Sequence, residues 1–338
     1  MHASSTYVLP IRRRCVDPGE VAELRAYLWG LAVEQIIVVD GSPPAVFAEH
    51  HRAWSPYAFH VPVDADIVAK NGKVAGVLTG MRRAAYEAVV LADDDVRYDE
   101  RSLGRVLGAL RDADIVRPQN YFDELPWHAL FDTARTLCNR ALGGDWPGTL
   151  ALRRSVFERA GGYSGDVLFE NLELVRTIRA SGGRERLALA AYVARRPPAV
   201  AHFGRQRVRQ AYDEFARPLR MATALAILPA IAISLATRRG GALAVAAAGC
   251  IALAECGRRR AGGTAIFPAA ASLLAPLWVL ERAVCSWLAV ATRLRHGGVR
   301  YGDCTLSRAA TPAHVLRARF RERARCSGSL VRGQTAAH

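Results

Sequence analysis

Val89-Val90-Leu91-Ala92-Asp93-Asp94-Asp95-Val96 sets three carboxylates directly after a short apolar run. A run of this length, rich in β-branched residues and bounded by polar ones, reads as a buried strand. Ile36-Ile37-Val38-Val39-Asp40-Gly41-Ser42-Pro43 repeats the plan, an apolar strand that stops abruptly on an acid and turn-forming residues. Tyr7-Val8-Leu9-Pro10-Ile11 reads as a first strand. After it, Asp17-Pro18-Gly19-Glu20 opens a helix with an N-cap, a proline in the first turn and a glutamate three residues on, and Val21, Leu24 and Leu28 fall on one face. A further helix is expected over residues 73–87, with Val74, Val77, Leu78 and Met81 at helical spacing, feeding the strand at 88–92. From Tyr7 to about Val193 apolar runs and amphipathic stretches alternate, the pattern of an α/β domain. In open α/β sheets ligands bind beyond the carboxyl ends of the strands, which is where Asp40 and the acidic triplet lie.

Adjacent carboxylates repel one another, and a cation usually offsets the cost. Alternate side chains of an extended segment point the same way, so Asp93 and Asp95 share one side while Asp94 faces elsewhere. Oxygen ligands of this kind suit Mg2+ or Mn2+, which keep other positions for water and a diphosphate. The same residues also suit an acidic turn or helix N-cap ahead of Tyr98, Asp99 and Glu100. The triplet alone does not choose between these readings.

The 338 residues include 46 basic and 31 acidic ones, a formal charge of +15. Residues 1–218 hold 29 basic against 27 acidic, and the remainder holds 17 against 4. Positive charge is thus concentrated beside the most apolar stretches, as expected for arginines flanking membrane segments on the cytoplasmic side. The nearly neutral first part lacks an aromatic-basic stripe, which excludes nucleic acid as the partner. Only Lys70 and Lys73 are lysines, which draws attention to Lys73. The seven cysteines are scattered with no Cys-x-x-Cys pair, against a disulfide framework or zinc site and in keeping with reducing cytoplasm. Residues 1–9 show no charged region followed by an apolar run, so no signal peptide is expected.

After Pro218 the composition changes. Residues 221–237 carry no charge, residues 240–254 form a shorter apolar stretch ending at Glu255, and residues 261–280 are again uncharged. A span needs about 20 apolar residues, so the first and third stretches qualify. The second is a span, a re-entrant hairpin or a buried soluble helix. The expectation is a membrane region over residues 218–295 with two to four helical segments. A basic, flexible cytoplasmic tail over 296–338 then follows, with Arg317, Arg319, Arg321, Arg323 and Arg325 in alternation, lying on anionic lipid.

Taken in order, Ile36 to Ser42, Asn71-Gly72-Lys73 with Gly80 and Ala84, and Val89 to Val96 resemble the nucleotide-binding half of family 2 glycosyltransferases of the GT-A fold. The resemblance implies an α/β, Rossmann-like nucleotide-sugar-binding domain over 1–217, followed by C-terminal transmembrane helices. It implies that Asp40 contacts the nucleoside, that Lys73 lines the base and ribose pocket, and that Asp93 and Asp94 meet the diphosphate. Asp93 and Asp95 would hold the metal, with His202 a third candidate ligand. For Lys73 the plain alternative is a surface lysine opening a helix.

Gly143-Gly144-Asp145-Trp146-Pro147-Gly148-Thr149, then Arg153-Arg154-Ser155 and Gly161-Gly162-Tyr163, are similar to the family's glycine-rich acceptor loop, basic pair and Gly-Gly-aromatic turn. Trp146 offers a flat indole face to a sugar or lipid headgroup, or fills the core. Phe169 to Arg176 resembles the segment that carries the general base, usually Glu-Asp, but Asn171 stands in place of the aspartate and a neutral amide takes no proton. Glu170 is the first candidate base. Glu173 is the second, and it also stands where it can pair with Arg176 on one helix face. Gln206-Arg207-Val208-Arg209-Gln210 resembles the Gln-x-x-Arg-Trp element of membrane-bound members, with Gln210 in place of tryptophan. Gln206 and Arg209 share a helix face, where a guanidinium stabilises a leaving diphosphate. The same stretch fits an amphipathic interfacial helix over about 203–217.

The resemblance therefore implies a metal-dependent, hexosyltransferase-like enzyme with Mg2+ or Mn2+ as cofactor. It would move a sugar with inversion from a UDP- or GDP-sugar to a hydroxyl of a lipid-linked or membrane-proximal glycan acceptor. The expected setting is the cell (inner) membrane, multi-pass, with the catalytic domain cytoplasmic. A polysaccharide synthase subunit and a non-catalytic GT-A scaffold are the alternatives.

Overall fold

The computed structural model describes residues 4–302 and 304–335. Eight strands form one sheet: β1 (Ser5–Ile11), β2 (Gln35–Asp40), β3 (Phe59–Pro62), β4 (Ala88–Ala92), β5 (Val96–Arg97), β6 (Ile115–Phe122), β7 (Thr149–Arg153) and β8 (Glu185–Arg195). Their spatial order is β3-β2-β1-β4-β7-β6-β8-β5. The helices interleaved with them are α1 (Pro18–Trp29), α2 (Pro44–Trp54), α3 (Gly72–Arg83), α4 (Glu100–Ala109), α5 (Trp127–Ala141), α6 (Arg154–Ala160) and α7 (Glu170–Ala180).

β1 runs parallel to both β2 and β4, with Val8 opposite Ile37 on one side and Leu91 on the other. Val8, Ile37, Val89 and Val90 are fully buried, the outcome for continuous apolar strands with helices on both faces. At β1 the connection order reverses, because β2 and β3 build outward on one side and β4 begins the other. The crevice at such a switch point is the ligand site of open α/β sheets. β7 enters antiparallel beside β4 with Thr149 opposite Ala92, so the start of β7 meets the end that carries the triplet.

The local signals act as expected. Asp17 caps α1 by accepting the backbone N–H groups of Gly19 and Glu20 at 2.8 and 3.1 Å. α3 sits tightly on β1, since a Cβ on Gly80 would fall 2.3 Å from Val8 Cγ1. The helix ends at Arg83 rather than Glu87 because Ala84 is extended and leads the chain towards β4.

Beyond β8 come α8 (Val200–Tyr212), α9 (Pro218–Ala236), α10 (Gly240–Arg259), α11 (Ala269–Leu273), α12 (Ala275–His296), the hairpin β9 (Val299–Tyr301) and β10 (Cys304–Leu306), and α13 (Ala313–Thr335). Among the described residues α9 and α10 are long and apolar enough to cross a membrane. The second apolar stretch is thus a continuous helix. The third, residues 261–280, is not one continuous helix: Ala261 adopts a left-handed φ of 51° in a 3-10 turn, α11 follows, and α12 begins at Ala275. Ala271, Ala275 and Trp278 of this stretch are buried with Ala134 and Leu137 of α5. α10 also approaches α5 closely, and a Cβ on Gly257 would fall 1.9 Å from the Leu137 carbonyl oxygen.

α8, expected at a membrane surface, is clasped between α5 and α12. The buried Arg207 guanidinium pairs with Asp132 at 2.8 Å and Glu281 at 2.7 Å. The segment after α12, expected to be flexible, is docked in its described part. Leu168 and Phe169 donate their backbone N–H groups to the carbonyls of Arg308 and Ala309 at 3.0 and 2.8 Å, and Phe320 of α13 packs on the core beside α7. Of the tail expected over 296–338, residues 303 and 336–338 lie outside the described residues.

Pro229 lies inside α9 and lacks the N–H that would bond the Leu225 carbonyl one turn back. Trp287 of α12 supplies the missing donor, its indole Nε1–H reaching that carbonyl at 3.1 Å. Trp287→Phe is expected to lower the stability of the protein by about 1 kcal/mol. In a Pro229→Ala background, where a backbone N–H returns, the same change should cost measurably less. Equal losses in the two backgrounds, read from thermal melts, would exclude this role.

Candidate active site

The triplet leaves the sheet at the end of β4. Asp93 is fixed by its backbone N–H to the Gly148 carbonyl at 2.7 Å, and its side chain fills the space a residue with a Cβ would need at Gly148, 2.7 Å from Asp93 Oδ2. Gly148 thus leaves room for the Asp93 carboxylate, which any larger residue there would force to shift.

Each carboxylate of the triplet meets a different cation. Lys73 Nζ lies 2.5 Å from Asp93 Oδ1. Arg13, just after β1, pairs with Asp94. Arg195, at the end of β8, bonds Asp95 Oδ2 at 2.7 Å and reaches to within 3.7 Å of Asp93. Burial pushes the Asp95 carboxyl up; Arg195 opposes this, Asp93 and Asp94 add to it, and the net shift is upward. Its second oxygen, Oδ1, is buried without a hydrogen-bond partner. An orphaned carboxylate oxygen beside Asp93 fits a hard divalent cation, which prefers such ligands. Among the described residues, however, no three His, Cys, Asp or Glu side chains are grouped to hold a metal ion. His202 does not complete such a set with Asp93 and Asp95: its Nε2 is hydrogen-bonded to Gln206, and it borders a separate cavity of about 520 Å3 with Asp94 and Asp95.

Lys73 is placed by the start of α3. Asn71 caps that helix, accepting the Lys73 N–H at 3.1 Å, and donates its amide to the Val167 carbonyl at 3.1 Å. The same loop leads into α7, whose first residue is Glu170. Lys73 Nζ donates to Glu170 Oε1 at 2.6 Å and so bridges the triplet to the candidate base. Burial alone would lower the Lys73 pKa, but Asp93 and Glu170 outweigh it and hold the ammonium charged. Lys73 is therefore not a surface lysine.

The two candidate bases separate clearly. Glu173 is completely buried and accepts the Thr311 N–H at 2.6 Å, so its carboxylate anchors the returning C-terminal segment, and it forms no pair with Arg176. Arg176 bonds instead to the carbonyls of Thr311 and Ala216. Asn171 donates to the Pro147 carbonyl at 3.0 Å, tying α7 to the glycine-rich loop. Trp146 has one ring face covered by Arg117, whose guanidinium carbon lies 4.1 Å from the ring centroid, and meets Phe169 edge-on at 5.1 Å. It packs within the protein on that side.

A cavity of about 660 Å3 opens beside the triplet, with Arg13, Gly41, Lys70, Lys73, Asp93 and Tyr301 on its wall. Its volume falls within the range of small-molecule sites. Arg209 of α8 approaches through Tyr301, its guanidinium carbon 4.5 Å from that ring. Next to it Asp213 has a buried, unpartnered Oδ1, and burial pushes its carboxyl up to about 7. Gln206 shares the helix with Arg209 but bonds His202.

Sequence reasoning missed Arg13, Arg195 and Tyr301. Arg12-Arg13 stands just past β1 as Asp40 stands at the end of β2, so the end-of-strand argument could have included Arg13. Arg195 has no local signal, since it lies 100 residues from Asp95.

Asp40 takes a different place from the one expected. It is 2% exposed, and its Oδ2 accepts His50 at 2.7 Å and His60 at 3.2 Å while Oδ1 accepts the Ser42 N–H at 2.8 Å. The carboxylate fixes the turn after β2, and the following Gly41 is the residue on the cavity wall. Burial would raise the Asp40 pKa, but the bonds from His60, Ser42 and His50 outweigh it and bring it from 3.8 to about 2. A depressed carboxylate adds stability that is present above the unfolded pKa and lost as pH falls through the folded one. Asp40→Asn should therefore destabilise the protein by about 2 kcal/mol at neutral pH. The difference from wild type should close as pH falls from about 4 towards 2. A difference that is constant with pH, measured by denaturation midpoints, would refute this assignment.

No family model and no curated protein sequence matches the chain. Among solved structures it is similar to the mannosyltransferase PcManGT from Pyrobaculum calidifontis, in complex with GDP-mannose and Mn2+. The two are 20% identical in sequence with a TM-score of 0.51, over 85% of this chain and 88% of that one. At that identity the likeness is one of fold: the chain shares its architecture with a mannosyltransferase.

Proposed function

We propose that the protein is a glycosyltransferase of the GT-A type, held in a membrane by α9 and α10, that moves a sugar from a nucleoside-diphosphate sugar to an acceptor hydroxyl. The observation that carries this reading is the Asp93–Lys73–Glu170 chain of contacts on the edge of the cavity. It sets anion-binding, cation-binding and proton-accepting groups side by side at the switch point of the sheet. The fold shared with a mannosyltransferase supports it, and GDP-mannose is accordingly the first donor to test.

In this reading the cavity takes the nucleoside, with the phosphates towards Arg13, Lys70 and Lys73. Asp93 and Asp95 are the residues that would hold Mg2+ or Mn2+. When bound, such an ion supplies Lewis-acid stabilisation of the leaving diphosphate. Reaction is a single displacement with inversion: the acceptor oxygen bonds to the anomeric carbon as the bond to the β-phosphate oxygen breaks. Glu170 receives the acceptor proton, because it is bonded to Lys73, which lines the cavity, whereas Glu173 is buried beneath Thr311. Arg209, positioned on Tyr301, adds positive charge opposite the departing diphosphate.

The acceptor is proposed to be lipid-linked or membrane-proximal, since α8, which carries Arg209, packs on α12 beside the two apolar helices. α9 has 19 residues and rises about 28 Å, close to the thickness of a bilayer core. Arg238 and Arg239, in the turn between α9 and α10, then lie at the far surface. A cysteine at Arg238 should be labelled by an impermeant maleimide only from the face opposite the catalytic domain. Labelling from the catalytic face would replace the spanning hairpin with a re-entrant one.

The central test is release of nucleoside diphosphate from a panel of nucleotide-sugars by the solubilised protein, with and without Mn2+. Glu170→Gln is expected to lower kcat roughly 100-fold or more, the usual scale for a general base. Glu173→Gln should instead lower thermal stability while kcat per folded molecule changes little. Full turnover in Glu170→Gln would sink the base assignment, and turnover unaffected by Asp95→Ala would sink the metal site.

A further inference from the structure

The acidic groups that the proposed reaction needs are closed by the chain's own cations. Lys73 Nζ lies 2.5 Å from Asp93 and 2.6 Å from Glu170, and Arg13 is paired with Asp94. Both cations line the 660 Å3 cavity, whereas Arg195, paired with Asp95 at 2.7 Å, lies outside it.

Resting on the reading above, we propose that Arg13 and Lys73 are diphosphate ligands stored on Asp94 and Asp93 until the donor arrives, so that the divalent cation enters with the nucleotide and not ahead of it. A bare divalent ion approaching Asp93 must displace an ammonium that has two anionic partners in a poorly solvated cleft. It would leave two positive centres within a few ångströms of each other, which low dielectric penalises strongly. A nucleoside diphosphate removes that conflict because it carries negative charge of its own. Lys73 and Arg13 transfer to phosphate oxygens; Asp93 would then be free to hold the ion with the unpartnered Oδ1 of Asp95, and Asp94 free to accept from its bound water. The ammonium, a point charge on a four-carbon stem, can make this exchange by side-chain rotation, and the guanidinium offers phosphate a planar fork. Arg195 stays on Asp95 and holds the triplet in place.

The exchange has a second consequence. Lys73 leaves Glu170 as it moves, so the carboxylate that accepts the proton is uncovered when a donor is bound. Lys73 is thus a positioning residue for the base as well as a donor ligand.

The experiment titrates Mn2+ into full-length solubilised protein, reading the free ion by its paramagnetic resonance signal, alone and with GDP or UDP. Wild type should bind Mn2+ about tenfold more tightly, or better, with the diphosphate it accepts than without it, and by linkage the diphosphate should gain equally from Mn2+. Lys73→Gln and Arg13→Gln should each bind Mn2+ alone at least about fivefold more tightly than wild type while binding diphosphate more weakly. Lys73→Arg keeps the charge and should resemble wild type with Mn2+ alone. Arg13→Gln, at a less buried position, carries the test should Lys73→Gln fail to fold.

Mn2+ binding that is equal with and without a bound diphosphate, or unchanged in both glutamine variants, overturns the inference and leaves the glycosyltransferase reading intact. Failure of wild type to bind either diphosphate in the presence of Mn2+ overturns both.

Discussion

Three consecutive carboxylates at the end of a buried parallel strand set an electrostatic condition that the rest of the site meets. No single neighbour suffices, because the three charges add and each carboxylate has a different cation nearest to it. The fold answers with one cation from each of three distant places: Arg13 from the end of β1, Lys73 from the first turn of α3, and Arg195 from the end of β8. That these places converge follows from the sheet order, which sets β1 against β4 and lets β8 return on the far side of β7 and β6. The charge balance and the topology are therefore one arrangement. Changing the strand order would strand the acids.

A comparable economy governs the joint between the sheet domain and the apolar helices. Arg207 is buried and holds Asp132 of α5 and Glu281 of α12 at once. Buried ion pairs return little net stability, because desolvation opposes the attraction, but they tolerate few geometries. Here the geometry in question is that of α8, which sets Arg209 on Tyr301 of the cavity wall. Pro229 and Trp287 do similar work between α9 and α12, where an unmatched carbonyl in apolar surroundings is satisfied by one indole. The helices beyond Pro218 are thus registered to the site by specific polar contacts.

The parts of this structure that were legible in the sequence are those with local causes. β1, β2 and β4 announce themselves as apolar runs closed by turn residues, and α1 and α3 by their caps. Lys73 stood out because the chain has only two lysines, and Glu170 because of the segment around it. What was not legible depends on partners far along the chain. Asp40 is held by His50 and His60, one of them from the strand beyond the next helix, and nothing in Asp40-Gly41-Ser42 signals that. Glu173 is fixed by Thr311, which lies 138 residues later. The uncharged stretch 261–280 satisfied the composition of a span, yet the chain breaks within it and Ala271, Ala275 and Trp278 pack on α5. Composition measures how apolar a segment is, and does not say whether lipid or protein will cover it.

The C-terminal segment shows most clearly how the pieces depend on one another. After α12 the chain returns to the sheet domain, places Tyr301 on the cavity wall under Arg209, pairs with the residues ahead of α7 through Arg308 and Ala309, and donates the Thr311 N–H to Glu173 Oε2. The helix so fastened is the one whose first residue is Glu170. A segment that reads as a basic tail is therefore a structural support of the proposed base, and the apolar helices lie between the two portions of chain that form one cleft. Such an arrangement makes the apolar helices an internal part of the site's construction, because the cleft is complete only when the chain has passed through α9 to α12 and come back.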